Sequence, residues 1–217
     1  MLRAIEAGEL DEARIDRSLS KVLALKERLP SAMPAVAAET LRQEAQALAR
    51  EVAEAALTVT HARPGAFPLD LAAACHLVID DDDDAEAFAP WVSALSERTL
   101  PAPRVLRRES TDADFEAIAS NLLPGQPVLC AVFSTIKAWK ERIDLAPAHA
   151  AFLERLAGAG HAVVAVGFSN PYLSRQLPSA GAFVCAYSDH PASQQAALAG
   201  VAGEIAMRGR LPVALGV

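Results

Sequence analysis

The run Val128-Leu129-Cys130-Ala131-Val132-Phe133 narrows the possible folds more than any other stretch of the chain. Six consecutive apolar residues suit a strand with both faces buried, and such a strand needs covering layers on each side of its sheet. Comparable strand-like runs stand at 57–60, 75–79, 104–107, 162–168 and 182–187. Helix-like stretches lie between or after them, near 84–98, 112–122, 147–157 and 192–203. Strands alternating with helices of about ten residues or more point to right-handed βαβ units. The expected fold is an α/β, three-layer α/β/α sandwich with a mostly parallel sheet of five to six strands. Functional groups on such sheets sit beyond the strand C-termini, so those loops are where chemistry is sought.

Ahead of this pattern stands an N-terminal linker helix. Asp11 is a suitable N-cap, acids occupy the opening turn, and Pro30 stops the helix. Ile15, Leu19, Val22, Leu23, Leu25 and Leu29 recur near helical spacing, opposite Arg14, Asp16, Arg17, Lys21 and Glu27. That stripe must be covered. A connector from Pro30 to Pro34 follows, then a second helix near 39–55, rich in Ala, Glu, Gln and Arg. The expected organisation is a linker helix and connector over 1–34 and one α/β domain over 35–217.

Composition excludes several classes of partner. The net charge of −7 argues against nucleic acid or an anionic membrane surface. No apolar run approaches the ~18 residues of a membrane span. The first residues lack the apolar stretch of a signal peptide, so a cytoplasmic protein is expected unless a signal lies outside this chain. Cys75, Cys130 and Cys185 cannot all pair, and each lies in or beside a strand-like run. They read as buried, reduced core residues.

The loops contain no complete catalytic set. Gly158-Ala159-Gly160 precedes a strand instead of following one, so it ends a helix and cradles no phosphate. The five aspartates at 80–84 admit two readings: a divalent-cation site, or a solvated loop whose last member caps the next helix. Consecutive residues cannot all converge on one ion, which favours the loop. His61, His76, His149, His161 and His190 show no zinc-type spacing, and no metal or other cofactor is expected. Ser188-Asp189-His190 are adjacent, whereas triads assemble from separate loops; Ser188 or Asp189 is expected to cap the helix after Pro191. The polar loop at 134–145 carries Trp139, Lys140, Glu141, Arg142 and Asp144. Trp139 could stack on a sugar ring, and packing at the sheet edge or on a partner domain is the favoured reading.

Longer stretches carry a resemblance. Ala4-Ile5-Glu6-Ala7-Gly8-Glu9-Leu10, then Arg14-Ile15-Asp16-Arg17-Ser18-Leu19 and Leu23-Ala24-Leu25-Lys26-Glu27-Arg28-Leu29, is similar to the segment leaving the barrel of glycoside hydrolase family 3 enzymes. Ala49-Arg50-Glu51-Val52-Ala53 continues the match. Gly167-Phe168-Ser169-Asn170-Pro171-Tyr172 resembles the family's Gly-Asn-Pro-Tyr turn, with Phe-Ser where a Gly is usual. Tyr187-Ser188-Asp189 with Ser193-Gln194 follows, and Gly203-Glu204-Ile205 through Arg208-Gly209-Arg210-Leu211-Pro212-Val213 resembles the end of the family's second domain. The resemblance spans nearly the whole chain and is closest to the bacterial β-N-acetylglucosaminidase branch.

This resemblance implies the C-terminal domain without its barrel. In the family the barrel supplies the nucleophilic aspartate and most of the sugar pocket. In this branch it also supplies the acid/base, a histidine supported by an aspartate. In the β-glucosidase branch the second domain donates a loop glutamate; Glu141 lies in the corresponding loop but is not aligned with that position. No catalytic residue is therefore expected here. The implied partners are a barrel domain, or a second copy through the N-terminal helix, with carbohydrate as the implied ligand. A surviving sugar-facing edge would consist of Trp139, Lys140, Asn170, Tyr172, Ser188 and Asp189. For Asn170 the competing reading is a structural turn, its amide satisfying backbone groups.

Overall fold

The computed structural model describes residues 2–29, 38–135 and 144–215. They fall into two compact units, Met1–Gln43 and Glu44–Val217, with the boundary inside a helix. In the first unit a short helix, α1 (Leu2–Glu6), precedes α2 (Glu12–Glu27), and α3 (Ala38–Ala56) begins. The α2 helix starts where the sequence places it. The Asp11 carboxylate accepts from the Ala13 N–H at 3.1 Å, Glu12 sits at the positive end of the helix dipole and Lys26 at the negative end. No residue of α2 is buried. Helix α1, five residues long, was not among the expected helices.

The second unit takes the rest of α3 and then β1 (Thr58–Ala62), β2 (Cys75–Asp80), α4 (Ala85–Glu97), β3 (Arg104–Arg107), α5 (Asp112–Ala119), β4 (Val128–Phe133), α6 (Pro147–Gly158), β5 (Val163–Gly167), β6 (Ala182–Cys185) and α7 (Pro191–Val201). A 3₁₀ helix, Pro171–Gln176, stands between β5 and β6. The strands form one sheet in the order β1-β6-β5-β4-β2-β3. All neighbours run parallel except β1, which is antiparallel to β6 with an irregularity between Val59 and His61.

Strand alternation divides the core into two layers. Leu129, Ala131 and Phe133 of β4 face one side, with Val164 and Val166 of β5, and pack on Ala53 of α3, Trp91 and Leu95 of α4, and Leu198 of α7. Val128, Cys130 and Val132 face the other, with Leu77, Ile79 and Ala165, and pack on Phe115 of α5 and Phe152 and Leu156 of α6. Helices thus cover both faces of a mostly parallel sheet, as expected. Each fully buried Leu, Val or Phe contributes roughly 1.5–3 kcal/mol, which explains why the apolar strands lie at the centre. No helix among the described residues is long and apolar enough to cross a membrane.

Candidate functional site

The order of the parallel strands reverses at β2. The chain runs from β2 outward to β3, then returns to place β4 on the other side of β2. Ligands of open α/β sheets favour the crevice beyond the strand C-termini at such a reversal. Here the run Asp80 to Asp84 leaves β2, and Ser134 and Thr135 leave β4. Parallel register sets Asp80 beside Arg107 on one flank and Phe133 on the other.

Each aspartate has its own structural partner. Asp80 is fully buried; one carboxylate oxygen accepts from the N–H groups of Asp82 and Asp84 at 3.3 and 3.0 Å. Its other oxygen lies 3.6 Å from the Arg107 guanidinium, which also binds Asp83. Asp81 is buried too, 3.6 Å from Nδ1 of His149 on α6. The other ring nitrogen, Nε2, is 2.9 Å from the Arg107 carbonyl, and since a carbonyl only accepts, Nε2 carries a proton. The Asp82 carboxylate accepts from the Thr135 N–H at 2.8 Å and from its hydroxyl. Asp84 caps α4, accepting from the Ala87 N–H at 3.3 Å.

The capping role is the one read from the sequence, but the solvated loop is not found, because the first two acids are buried. The reason is register: the half-exposed Arg107 guanidinium and two loop N–H groups meet the strand end, and the buried Asp80 carboxylate satisfies them. The paired position of Arg107 at the end of the neighbouring strand was the available signal. Among the described residues, no group of three or more His, Cys, Asp or Glu is arranged to hold a metal ion. The crevice is filled by the chain's own acids, so its chemistry is that of a rigid loop anchor.

The proposed sugar-facing residues divide into two described pairs, with the remainder outside the described residues. Trp139 and Lys140, with Glu141, lie outside them. Asn170 and Tyr172 follow β5. Asn170 is buried and its side chain accepts from the Tyr172 N–H at 3.0 Å, capping a 3₁₀ helix whose first residue, Pro171, has no N–H to offer. Tyr172 borders an open pocket of 530 Å³ with Asp144, Arg175 and Gln176. Gln176 fixes one wall, accepting from the Leu145 N–H at 2.8 Å and donating to its carbonyl at 3.3 Å.

Ser188 and Asp189 follow β6, the neighbour of β5, and are half-buried at the same C-terminal edge. Neither side chain caps α7. That role falls to His190, whose Nδ1 accepts from the Ala192 N–H at 3.2 Å. Pro191 at the first helical position sets the N-cap one residue before it, which puts the histidine there. Ser188 Oγ instead accepts from the His190 N–H at 3.1 Å. The Asp189 carbonyl accepts from Gln194 at 2.5 Å, and Gln194 also donates to the Ala87 carbonyl on α4. Gln194 entered the sequence reading only as part of the resemblance; its role as a fully buried amide tying α7 to α4 was not read.

The cysteines are free, as read from the sequence, and Cys130 and Cys185 are buried. Burial pushes the Cys185 thiol up to about 11 and raises Cys75 and Cys130 as well, so none is poised as a nucleophile.

No protein-family model and no curated protein matches the chain. Solved structures do. A glycoside hydrolase family 3 β-N-acetylglucosaminidase from Paenibacillus sp. str. FPU-7 is similar over 99% of this chain and 42% of its own, at 23% identity and a TM-score of 0.67. A fungal multi-domain β-N-acetylglucosaminidase of the same family is similar over 98% of this chain and 24% of its own, at 20% identity and a TM-score of 0.63. The β-glucosidase of Listeria innocua, solved with isofagomine, is similar over 93% of this chain and 32% of its own, at 17% identity and a TM-score of 0.58. The chain thus spans well under half of each, and its fold is that of the C-terminal portion of family 3 enzymes.

Proposed function

We propose that this chain serves as the non-catalytic C-terminal domain of a family 3 glycosidase of the β-N-acetylglucosaminidase kind. It would stand beside a barrel and form one wall of that barrel's sugar site. The observation that carries the reading is fold coverage: 99% of the chain is similar to only 42% of a β-N-acetylglucosaminidase. The described part of the site agrees with it. Glycoside hydrolysis needs two opposed carboxyl groups across an enclosed ring, whereas Asp80 to Asp84 anchor their own loop and Asp189 uses its carbonyl to hold a helix. Residues 1–34 would act as the connector and 35–217 as the domain. The wall would be the edge carrying Tyr172, Asn170, Ser188 and Asp189, with Trp139 and Lys140 from the adjoining loop. The free thiols suit a reducing compartment, so a cytoplasmic setting belongs to the same proposal.

A second reading, a free-standing interaction module, is favoured by one observation: the uncovered apolar stripe of α2. Mixing the chain with a family 3 barrel domain and a chromogenic N-acetylglucosaminide separates the two. Turnover that requires both components supports the glycosidase domain, and the absence of any association supports the module. Strong turnover by this chain alone would overturn both.

A further inference from the structure

Beyond α7 the chain has no regular structure, yet its side chains alternate as a strand's do. Ile205, Met207, Gly209 and Leu211 are half-buried, and Ala206, Arg208, Arg210 and Pro212 between them are exposed. Ile205 and Met207 pack on the core layer covered by α3, α4 and α7. Three ties hold this segment. Glu204 binds Arg98, at the end of α4, through both carboxylate oxygens, one of them at 2.8 Å. The Gly209 N–H donates to the Leu57 carbonyl at 2.8 Å, and a Cβ on Gly209 would stand 2.3 Å from the Ala56 carbonyl oxygen. Between these two ties Met207 seats on Gly200 of α7. Its Cγ and Sδ lie 2.9 and 3.1 Å from where a Gly200 Cβ would be, beside a methyl of the fully buried Leu57. Glycine is a poor helix residue; here its missing side chain makes the notch that Met207 fills.

That fit depends on the oxidation state of one sulfur. A thioether needs no ionisation to react, whereas burial keeps the thiols of Cys75, Cys130 and Cys185 in their protonated, unreactive form. Met207 is also only half-buried, so a small oxidant has access to it. With a hydroperoxide, the sulfur lone pair attacks the terminal peroxide oxygen. The O–O bond breaks as an S–O bond forms; sulfur gives up two electrons, and the remaining oxygen leaves with a proton as water or alcohol. The product is a polar sulfoxide. Gly200 and the Leu57 methyl offer its oxygen no donor, and a polar group left without one in an apolar notch is costly.

We propose that Met207 is a modification site: oxidation of its thioether by a hydroperoxide releases residues 205–211 from the sandwich, and reduction of the sulfoxide seats them again. This inference does not rest on the glycosidase reading, and its test involves no glycosidase activity.

The test is treatment of the folded 217-residue chain with hydrogen peroxide, followed by mass mapping of the sulfoxides and timed trypsin cleavage after Arg208. The bond from Arg208 to Gly209 adjoins the clamped glycine, so the protease reaches it only when the segment opens. Chains oxidised at Met207 should be cut there about tenfold faster or more, in proportion to the open population. M207L fills the notch with a similar volume and should keep slow cleavage with or without peroxide. M207Q, polar at its tip, should be cut fast without peroxide. Methionine sulfoxide reductases for both epimers, supplied with a thiol, should return the oxidised wild type to the slow rate. Circular dichroism checks that each variant folds; were M207L unfolded, the oxidised and re-reduced wild type would still decide the matter. The proposal is overturned if Met207 oxidises and cleavage stays slow, or if it resists peroxide until the chain is unfolded. An M207L chain that responds to peroxide as the wild type does would also overturn it, by placing the effect at another residue.

Discussion

Helix α2 and strand β4 both announce themselves in the sequence as apolar, and they end in opposite conditions. Every residue of β4 is buried, from Val128 at 0% to Phe133 at 3% exposed, because helices from the same chain close over both faces of the sheet. No residue of α2 is buried. An apolar pattern therefore states that a surface must be covered, without naming the cover. For β4 the cover lies within a short reach of chain. A helix of α2's length is marginal in water on its own, so its order depends on contacts beyond its own backbone.

The sharpest way to break this contrast is to cut the same side chain in both places. Leu129→Ala should cost about 2–5 kcal/mol of unfolding free energy, by lost transfer energy and by the cavity left between helices and sheet. Leu23→Ala should stay within about 0.5 kcal/mol of zero for the monomer. Urea titrations followed by tryptophan fluorescence report on Trp91 in the core. Equal losses at the two sites would abolish the distinction. Next in size is Gly209→Ala. A Cβ there would stand 2.3 Å from the Ala56 carbonyl, 2.5 Å from that of Leu57 and 2.4 Å from Thr58 Oγ1. Backbone cannot swing aside as a flexible side chain can, so about 1–3 kcal/mol is expected. The same titration checks it, and an unchanged midpoint would show that the C-terminal segment is held no more tightly than α2.

The sandwich was far more legible than its loops. Residues 104–107 and 128–133 are strands as read, and α4 begins after the aspartate chosen as its cap, since continuous apolar runs and cap chemistry are local signals. Helix α5 ends at Ala119, short of the expected 122, where Ser120 and Asn121 turn their side chains onto the Glu116 and Ala117 carbonyls. The antiparallel direction of β1 could not be read, because the residues of a strand carry no sign of the direction in which it pairs. The partners of Asp80, Asp81 and Asp82 come from β3, α6 and the end of β4, all distant in sequence. Asn170 was legible as a turn residue because its cap is local. Whether its edge faces a sugar depends on surfaces supplied by another domain.

Acid should act on the sandwich and spare α2. Burial holds His76 below the ordinary imidazole range near 6.5, although its Nε2 donates to the Leu71 carbonyl at 2.8 Å, which works in the opposite direction. Burial likewise lowers His61. A histidine depressed in the folded state takes up its proton first in the unfolded chain. Stability is then complete above about pH 6.5 and declines as pH falls from there toward the folded-state value. The urea midpoint should drop between about pH 7 and 5, and His76→Gln should flatten part of that slope. A midpoint constant across this window would remove the histidines from the account. Helix α2 contains no histidine, so its helical signal should not follow the same curve.

The smallest effect separates the two regions most cleanly, because it uses the same chemistry in both. Asp11 and Asp84 each cap a helix through a carboxylate that accepts a backbone N–H, at 3.1 and 3.3 Å. Replacing an N-cap aspartate by alanine costs about 1 kcal/mol of helix stability. In Asp84→Ala that cost is transmitted to the whole fold, since α4 buries Phe88, Trp91, Ala94 and Leu95 and cannot fray without opening the core. In Asp11→Ala the midpoint should not move, and only the helical signal of α2 should fall. Should a second copy cover α2, the same deletion would instead appear as weaker association, by up to about tenfold for ~1.4 kcal/mol. A cap that moves the unfolding midpoint at Asp11 as it does at Asp84 would mean that α2 is already bound into the core of its own chain.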